Sequence, residues 1–127
     1  MREPHGSDEV TRQRVKEVPQ GRKYRFYSKK YFALTFGTSP IDRINNKGVE
    51  YALQGRFKEA EILFQEILNE EERCGAVLNN LGIIYEIFCH YDRAFRMYAR
   101  ACLLEPGNEK FRRNFLSLKK IKRTSLR

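Results

Sequence analysis

The chain has 127 residues, of which 41% are hydrophobic and 32% charged, and its net charge at pH 7 is +9. This composition fits one folded domain and excludes a chain that is disordered throughout. No apolar run approaches the ~20 residues of a membrane-spanning helix, and the N-terminus lacks the apolar stretch of a secretory signal. We therefore expect a cytoplasmic protein without a transmembrane segment.

The charges are distributed unevenly along the chain. Residues 1–43 carry ten Lys/Arg and five acidic residues, residues 44–108 carry seven and ten, and residues 109–127 carry eight and one. Two basic ends therefore flank a mildly acidic middle. Such asymmetry favours an acidic partner, a nucleic acid or an anionic membrane surface.

The N-terminal extension, residues 1–40, changes character part-way. Residues 1–21 are polar and are expected to be disordered. Residues 22–36 hold six aromatic side chains interleaved with Lys and Arg, and their periodicity fits either a helix or a strand. Ser39 and Pro40 then provide an N-cap and a first helical residue, which predicts that a helix begins here.

A 34-residue repeat organises the middle of the chain. Residues 46–51 read NKGVEY, and residues 80–85 read NLGIIY at the same register. This period is the length of one helix–turn–helix unit. Glycines on the first helix and alanines on the second leave room for two helices to approach closely, and aromatic rings fill the space around the contact. The residues concerned are Gly48, Gly82, Ala60, Ala94, Tyr51, Phe64, Tyr85 and Tyr98.

The second copy resembles the tetratricopeptide repeat (TPR) family. Its matching residues are Leu81, Gly82, Tyr85, Ala94, Tyr98, Ala101 and Pro106, with Leu78 where the family usually has Trp. The first copy is looser and keeps Gly48, Tyr51, Ala60 and Phe64. The resemblance covers residues 41–108. It implies an all-α fold in which tandem antiparallel helix–turn–helix repeats form a short right-handed superhelix, with a protein-binding function.

Five helices are predicted, near residues 42–54, 57–71, 76–88, 91–104 and 109–122. The first two form the first repeat, 41–74, and the next two form the second, 75–108. Residues 109–127 are interpreted as a capping helix with a basic tail. Asn108 is a suitable N-cap for this helix, and Phe111, Phe115 and Leu118 form its apolar face.

The resemblance also implies that a concave groove, lined by the first helix of each repeat, binds a partner peptide or helix. The candidate groove residues are Asn45, Asn46, Val49, Asn79, Asn80, Ile83, Ile87, Lys110, Arg113 and Asn114. Asn46, Asn80 and Asn114 are each 34 residues apart, and we call them the asparagine ladder. Side-chain amides can pair with the backbone of a partner segment, and they can equally serve helix packing.

The aromatic segment, residues 22–36, also has two interpretations. Two repeats are few for a stable array, so the segment can fold back as an additional element. Alternatively it docks a partner or a second copy of the chain, and then Tyr24, Phe26, Tyr27, Tyr31 and Phe32 form a second interface. Aromatic rings among cations are also typical of single-stranded nucleic-acid sites, so nucleic-acid association through this segment and the basic C-terminal helix is the alternative function.

No sequence signature of an enzyme is present, such as a P-loop or an HExxH motif. We therefore expect a non-enzymatic adaptor or scaffold with no cofactor and no metal. The two histidines have no matching set of metal ligands. Cys74, Cys89 and Cys102 are odd in number and lack CxxC spacing, which predicts reduced, buried core residues rather than disulfides.

Overall fold

The computed structural model describes residues 31–125, and within that range the chain forms five α-helices and no strand. Helix α1 spans Pro40–Leu53, α2 Phe57–Glu70, α3 Gly75–Ile87, α4 Tyr91–Leu104 and α5 Glu109–Ser125. Helices that follow one another in sequence pack against one another, which gives an all-α helical repeat fold. All five predicted helices are confirmed, with ends shifted by three residues at most.

Side-chain caps define where α1 and α5 begin. The hydroxyl of Ser39 accepts a hydrogen bond from the Asp42 backbone N–H at 3.2 Å, and the Asp42 carboxylate accepts one from the Ser39 N–H at 3.1 Å. This reciprocal pair satisfies two N–H groups that the helix itself leaves unpaired. At α5 the side-chain oxygen of Asn108 accepts from the Phe111 N–H at 3.1 Å. Both predicted caps are therefore confirmed.

The turn inside each repeat has the same backbone geometry. Gly55 and Cys89, 34 residues apart, have positive φ angles of 83° and 64°. The N–H groups of the next residues, Arg56 and His90, donate to carbonyls five residues back, at 2.9 and 2.8 Å. This bonding is that of a Schellman motif, which ends a helix on a left-handed residue. The repeat is therefore present in the backbone as well as in the sequence.

Glycine allows the two helices of each repeat to pack closely. A Cβ on Gly48 would lie 2.5 Å from the ring of Phe64 on α2, and a Cβ on Gly82 would lie 2.6 Å from the ring of Tyr98 on α4. Both distances are far below van der Waals contact, so only glycine fits without displacing the ring. The expected role of these two glycines in packing is confirmed.

Helix α3 is the centre of the molecule, since all thirteen of its residues are buried. On one side α5 covers it with Phe111 and Leu118, which are also buried. Three polar residues of α3, Asn79, Asn80 and Glu86, lie inside this core. Buried polar groups need hydrogen-bond partners. Glu86 accepts from the Tyr98 hydroxyl at 3.0 Å, and the two asparagines bind the segment described below.

The expectation that the cysteines are buried in the core is wrong for Cys89 and is met only in part by Cys74 and Cys102. Cys89 is exposed, and Cys74 and Cys102 are half-buried; all three are free thiols. Cys89 occupies the left-handed position of the second turn, which faces solvent. Cys74 precedes the first residue of α3 and Cys102 lies in the last turn of α4, and both pack against the smaller apolar cluster. Burial raises the pKa of the Cys74 and Cys102 thiols.

Candidate functional site

The groove lined by α1, α3 and α5 is occupied by residues 31–35 of the same chain, which we call the groove segment. The asparagine ladder holds its backbone. The side chain of Asn80 accepts a hydrogen bond from the Ala33 N–H at 2.8 Å and donates one to the Ala33 carbonyl at 2.9 Å. Asn46 makes the same pair of bonds to Thr35, at 2.9 and 2.8 Å. Each amide therefore satisfies both polar groups of one residue.

A second row of amides reinforces the first. Asn45 donates to the Ala33 carbonyl at 3.0 Å, and Asn79 donates to the Tyr31 carbonyl at 3.1 Å. Asn114 of the ladder donates to the same Tyr31 carbonyl, also at 3.1 Å. Five asparagines from three helices thus converge on a few consecutive residues of backbone.

The amides also orient one another. Asn80 donates to the side-chain oxygen of Asn45, and Asn114 donates to that of Asn79, both at 2.9 Å. These two bonds join residues of neighbouring helices and fix four of the five amides, and Asn45 donates to the side-chain oxygen of the fifth, Asn46, at 3.3 Å. A network of this kind is preorganised for its ligand, because little side-chain freedom remains to be lost on binding.

The contacts advance by two residues of the segment for every 34 residues of the helical array. Asn46 on α1 binds Thr35, Asn80 on α3 binds Ala33, and Asn114 on α5 binds Tyr31. A step of two residues is also the period of an extended backbone, in which every second residue faces the same side. The segment therefore runs in the opposite direction to the order of the helices, with its N-terminal end at α5.

Two side chains of the groove segment are buried. Phe32 is 0% exposed and belongs to the larger apolar cluster, together with Val49, Ile83 and Ile87. Ala33 is 7% exposed and belongs to the smaller cluster, which includes Ala76 and Phe111. By contrast Phe36, just after the segment, is 92% exposed. The apolar contacts of the groove therefore concentrate on residues 32 and 33.

One cation also contacts the segment. The ammonium of Lys110 donates to the Phe32 carbonyl at 2.6 Å. Burial, together with the positive charge of Arg113, lowers the pKa of Lys110 from its usual value. Arg113 itself is exposed. Next to these residues the side-chain oxygen of Asn114 is buried and has no hydrogen-bond partner within the described part of the chain.

Most of the predicted groove residues thus come together around one segment. The five asparagines and Lys110 contact its backbone, Val49, Ile83 and Ile87 share a cluster with Phe32, and Arg113 lies at the solvent-exposed edge. Of the predicted second interface, Tyr31 and Phe32 lie in the groove, whereas Tyr24, Phe26 and Tyr27 are outside the described residues. Sequence reasoning missed Ala33 and Thr35. The strand-like alternation of Phe32, Leu34 and Phe36 does not mark them, because Phe32 and Ala33 are both buried and Phe36 is 92% exposed.

Comparison with protein-family models and with curated proteins finds no match to this chain. Among the described helices, none combines the length and the apolar character that crossing a bilayer requires.

Proposed function

We propose that this chain is a non-enzymatic protein-interaction module of the tetratricopeptide repeat type, acting as an adaptor or scaffold in the cytoplasm. Its concave groove binds an extended segment of another protein. The family assignment is supported by the matching residues of the two copies, by the shared left-handed turn at Gly55 and Cys89, and by the glycine–ring contacts in both repeats.

One observation carries the binding function: the groove holds polypeptide backbone through side-chain amides. Asn46 and Asn80 each pair with both the N–H and the carbonyl of one residue of the groove segment. This is the bonding that a sheet edge offers to an added strand, delivered here by helices. A surface that only packed helices together would not need donors and acceptors directed at a peptide unit.

The test is affinity capture from the native cell lysate at ~150 mM salt, a physiological ionic strength. The bait is the wild-type chain, compared with an Asn46→Ala/Asn80→Ala variant. Asn69→Ala is the matched control, because Asn69 is an exposed asparagine on α2, away from the groove. Circular dichroism checks that every bait remains helical.

We expect a protein that binds the wild type and the control, survives nuclease treatment and is lost from the double variant. A protein retained equally by the double variant would show that the groove is not the binding surface.

Nucleic-acid association is the second candidate, and one observation favours it. The Tyr31 carbonyl binds Asn114 of α5, so the basic N-terminal extension joins the folded part at this basic helix. Lys119, Lys120 and Arg113 are exposed on α5. Tyr31, which directly follows the basic N-terminal stretch of the sequence, therefore lies against a helix with exposed cations. If the captured partner is lost after nuclease treatment, and if the amount captured falls steeply as the salt concentration rises, nucleic-acid binding is supported over peptide binding.

A further inference from the structure

The chain's own groove segment occupies the site that a partner peptide would use. We propose that residues 31–35 are an internal ligand, and that the partner displaces them with an extended segment in which an aromatic residue is followed directly by a small one. This inference rests on the proposed function, because it concerns the same groove. Beyond that function, it specifies which peptide sequence the groove prefers and which segment occupies the groove in the absence of a partner.

The backbone contacts explain why the groove accepts more than one sequence. The ladder accepts hydrogen bonds from two main-chain N–H groups. Together with Asn45, Asn79 and Lys110 it donates hydrogen bonds to main-chain carbonyls. Main-chain groups are common to all residues except proline at the N–H. An incoming segment in extended conformation therefore makes the same bonds, provided that the residues at positions 33 and 35 are not proline.

The selectivity lies in the side chains of Phe32 and Ala33. Phe32 is fully buried, so a smaller residue there would leave an apolar cavity. Ala33 is 7% exposed among Ala76, Leu78, Ala101 and Phe111, which leaves no space for a longer side chain. Tyr31, Leu34 and Thr35 are only half-buried and constrain the sequence less. The groove is thus selective for the side chains of two consecutive residues, and its other contacts are hydrogen bonds to the peptide main chain.

The groove segment can leave without disturbing the start of α1. The Thr38 carbonyl accepts a hydrogen bond from Arg43 at 2.8 Å, and Ser39 caps α1, so the chain is anchored from residue 38 onwards. Phe36 and Gly37, between the groove and this anchor, are exposed. Displacement therefore needs a change of direction only at these two residues, and the cap of α1 stays in place.

The short connection to α1 makes the internal ligand an effective competitor. A segment tethered by a few residues has an effective concentration on the order of millimolar. A partner peptide with the same intrinsic affinity would bind weakly, because the internal segment competes for the groove. It would bind well only if the internal segment bound the groove less tightly or the partner made additional contacts. A substitution that weakens the binding of the internal segment to the groove should therefore increase the affinity of the protein for a separately added peptide.

The test uses the full-length chain and a fluorescent peptide of residues 29–38 as the probe. Ala33→Glu in the protein places a charged, longer side chain in the small buried site and releases the internal segment. Phe36→Glu is the matched control, since residue 36 is exposed in the same part of the chain. Fluorescence anisotropy measures the dissociation constant, and circular dichroism confirms that the helices are retained.

We expect the Ala33→Glu protein to bind the probe at least ten times more tightly than the wild type and the Phe36→Glu protein do. Adding Asn80→Ala to Ala33→Glu should remove this binding. A probe carrying Ala33→Leu or Phe32→Ser should bind the released groove at least ten times more weakly than the original probe. Equal binding of the probe to wild type and Ala33→Glu would overturn the inference, as would equal binding of the three probes.

Two further measurements separate the possible failures. Light scattering that shows a wild-type dimer and an Ala33→Glu monomer would mean that a second copy exchanges its segment, which overturns a displaceable internal ligand. If the probe binds as expected but the lysate yields no groove-dependent protein, the inference about the groove stands and the proposed partner function fails. A lysate protein that binds wild type and Ala33→Glu equally through the groove would leave the function intact and overturn self-competition.

Discussion

Replacing Asn80 by alanine is the most informative single change in the groove. Asn80 is fully buried and bonds both polar groups of Ala33 and the side-chain oxygen of Asn45. The Ala33 carbonyl retains its bond from Asn45 in the variant. The Asn79 amide loses its 3.2 Å bond to the Asn80 oxygen but keeps its bond to the Tyr31 carbonyl. The Ala33 N–H and the Asn45 side-chain oxygen, however, lose the bonds that Asn80 supplies and are left without a replacement.

The expected cost follows from these two groups. Leaving one buried polar group unpaired costs about 1–3 kcal/mol, so two cost about 2–6 kcal/mol. The better helix propensity of alanine offsets about 0.5 kcal/mol of this. The groove segment can instead undock and expose both groups to water, so the free energy of docking sets the upper limit of the loss. A net decrease of about 2–4 kcal/mol in the free energy of unfolding is therefore expected.

Two measurements separate a local from a global effect. Urea unfolding followed by circular dichroism gives the global free energy. Amide hydrogen exchange by NMR gives the opening free energy of the Ala33 and Thr35 N–H groups, which pair with Asn80 and Asn46. A loss of 2 kcal/mol in local stability corresponds to roughly 30-fold faster exchange at Ala33. Thr35 should also exchange faster if the segment undocks as one unit. Asn69→Ala, at an exposed position on α2, is the control.

Unchanged protection of the Ala33 amide in the Asn80→Ala variant would refute this reasoning. It would mean that the side-chain amide does not hold the segment, and that apolar contacts such as those of Phe32 suffice. Loss of protection in the Asn69→Ala control would point in the same direction, since that residue lies away from the groove.

Two predictions concern the repeat architecture. Gly82→Ala should destabilise the chain by about 1–3 kcal/mol in chemical denaturation, because the new methyl would lie 2.6 Å from the ring of Tyr98. Gly107→Ala is its control, with no atom within 4 Å of the added Cβ, and equal losses for the two variants would contradict the packing argument. Cys89→Gly should stabilise the chain by about 0.5–1 kcal/mol, because residue 89 has a φ of 64° that glycine adopts at less cost. Calorimetry should then show a Tm raised by a few degrees, and a lowered Tm would show that the thiol makes a larger contribution than the strain.

Much of the fold follows from local features of the sequence. The 34-residue period placed the helices, because hydrophobic and small residues recur at the spacing of a helix pair. Ser39 and Asn108 marked helix starts, since their side chains accept from the first backbone N–H groups. The same period aligned the asparagines of the ladder, so their common position along the groove could also be predicted.

The cysteines show where composition alone misleads. Cysteine is usually buried, and the sequence-based prediction relied on that tendency. Cys89 is exposed because the backbone of the turn needs a left-handed residue there, at a position that faces solvent. The 34-residue equivalence with Gly55 was the available signal, since glycine at that position marks a helix end.

The sequence by itself determined the five helices, the glycine–ring packing and the alignment of the ladder, because each depends on contacts between residues at fixed short spacing. Only the tertiary structure decided what the ladder binds. The contact between Ala33 and Asn80 spans 47 residues, and that between Tyr31 and Asn114 spans 83. Amides pair with any extended backbone, so no local pattern could distinguish the chain's own segment from a partner's. The burial of Phe32 and Ala33 in the folded groove is what makes the chain's own segment its occupant.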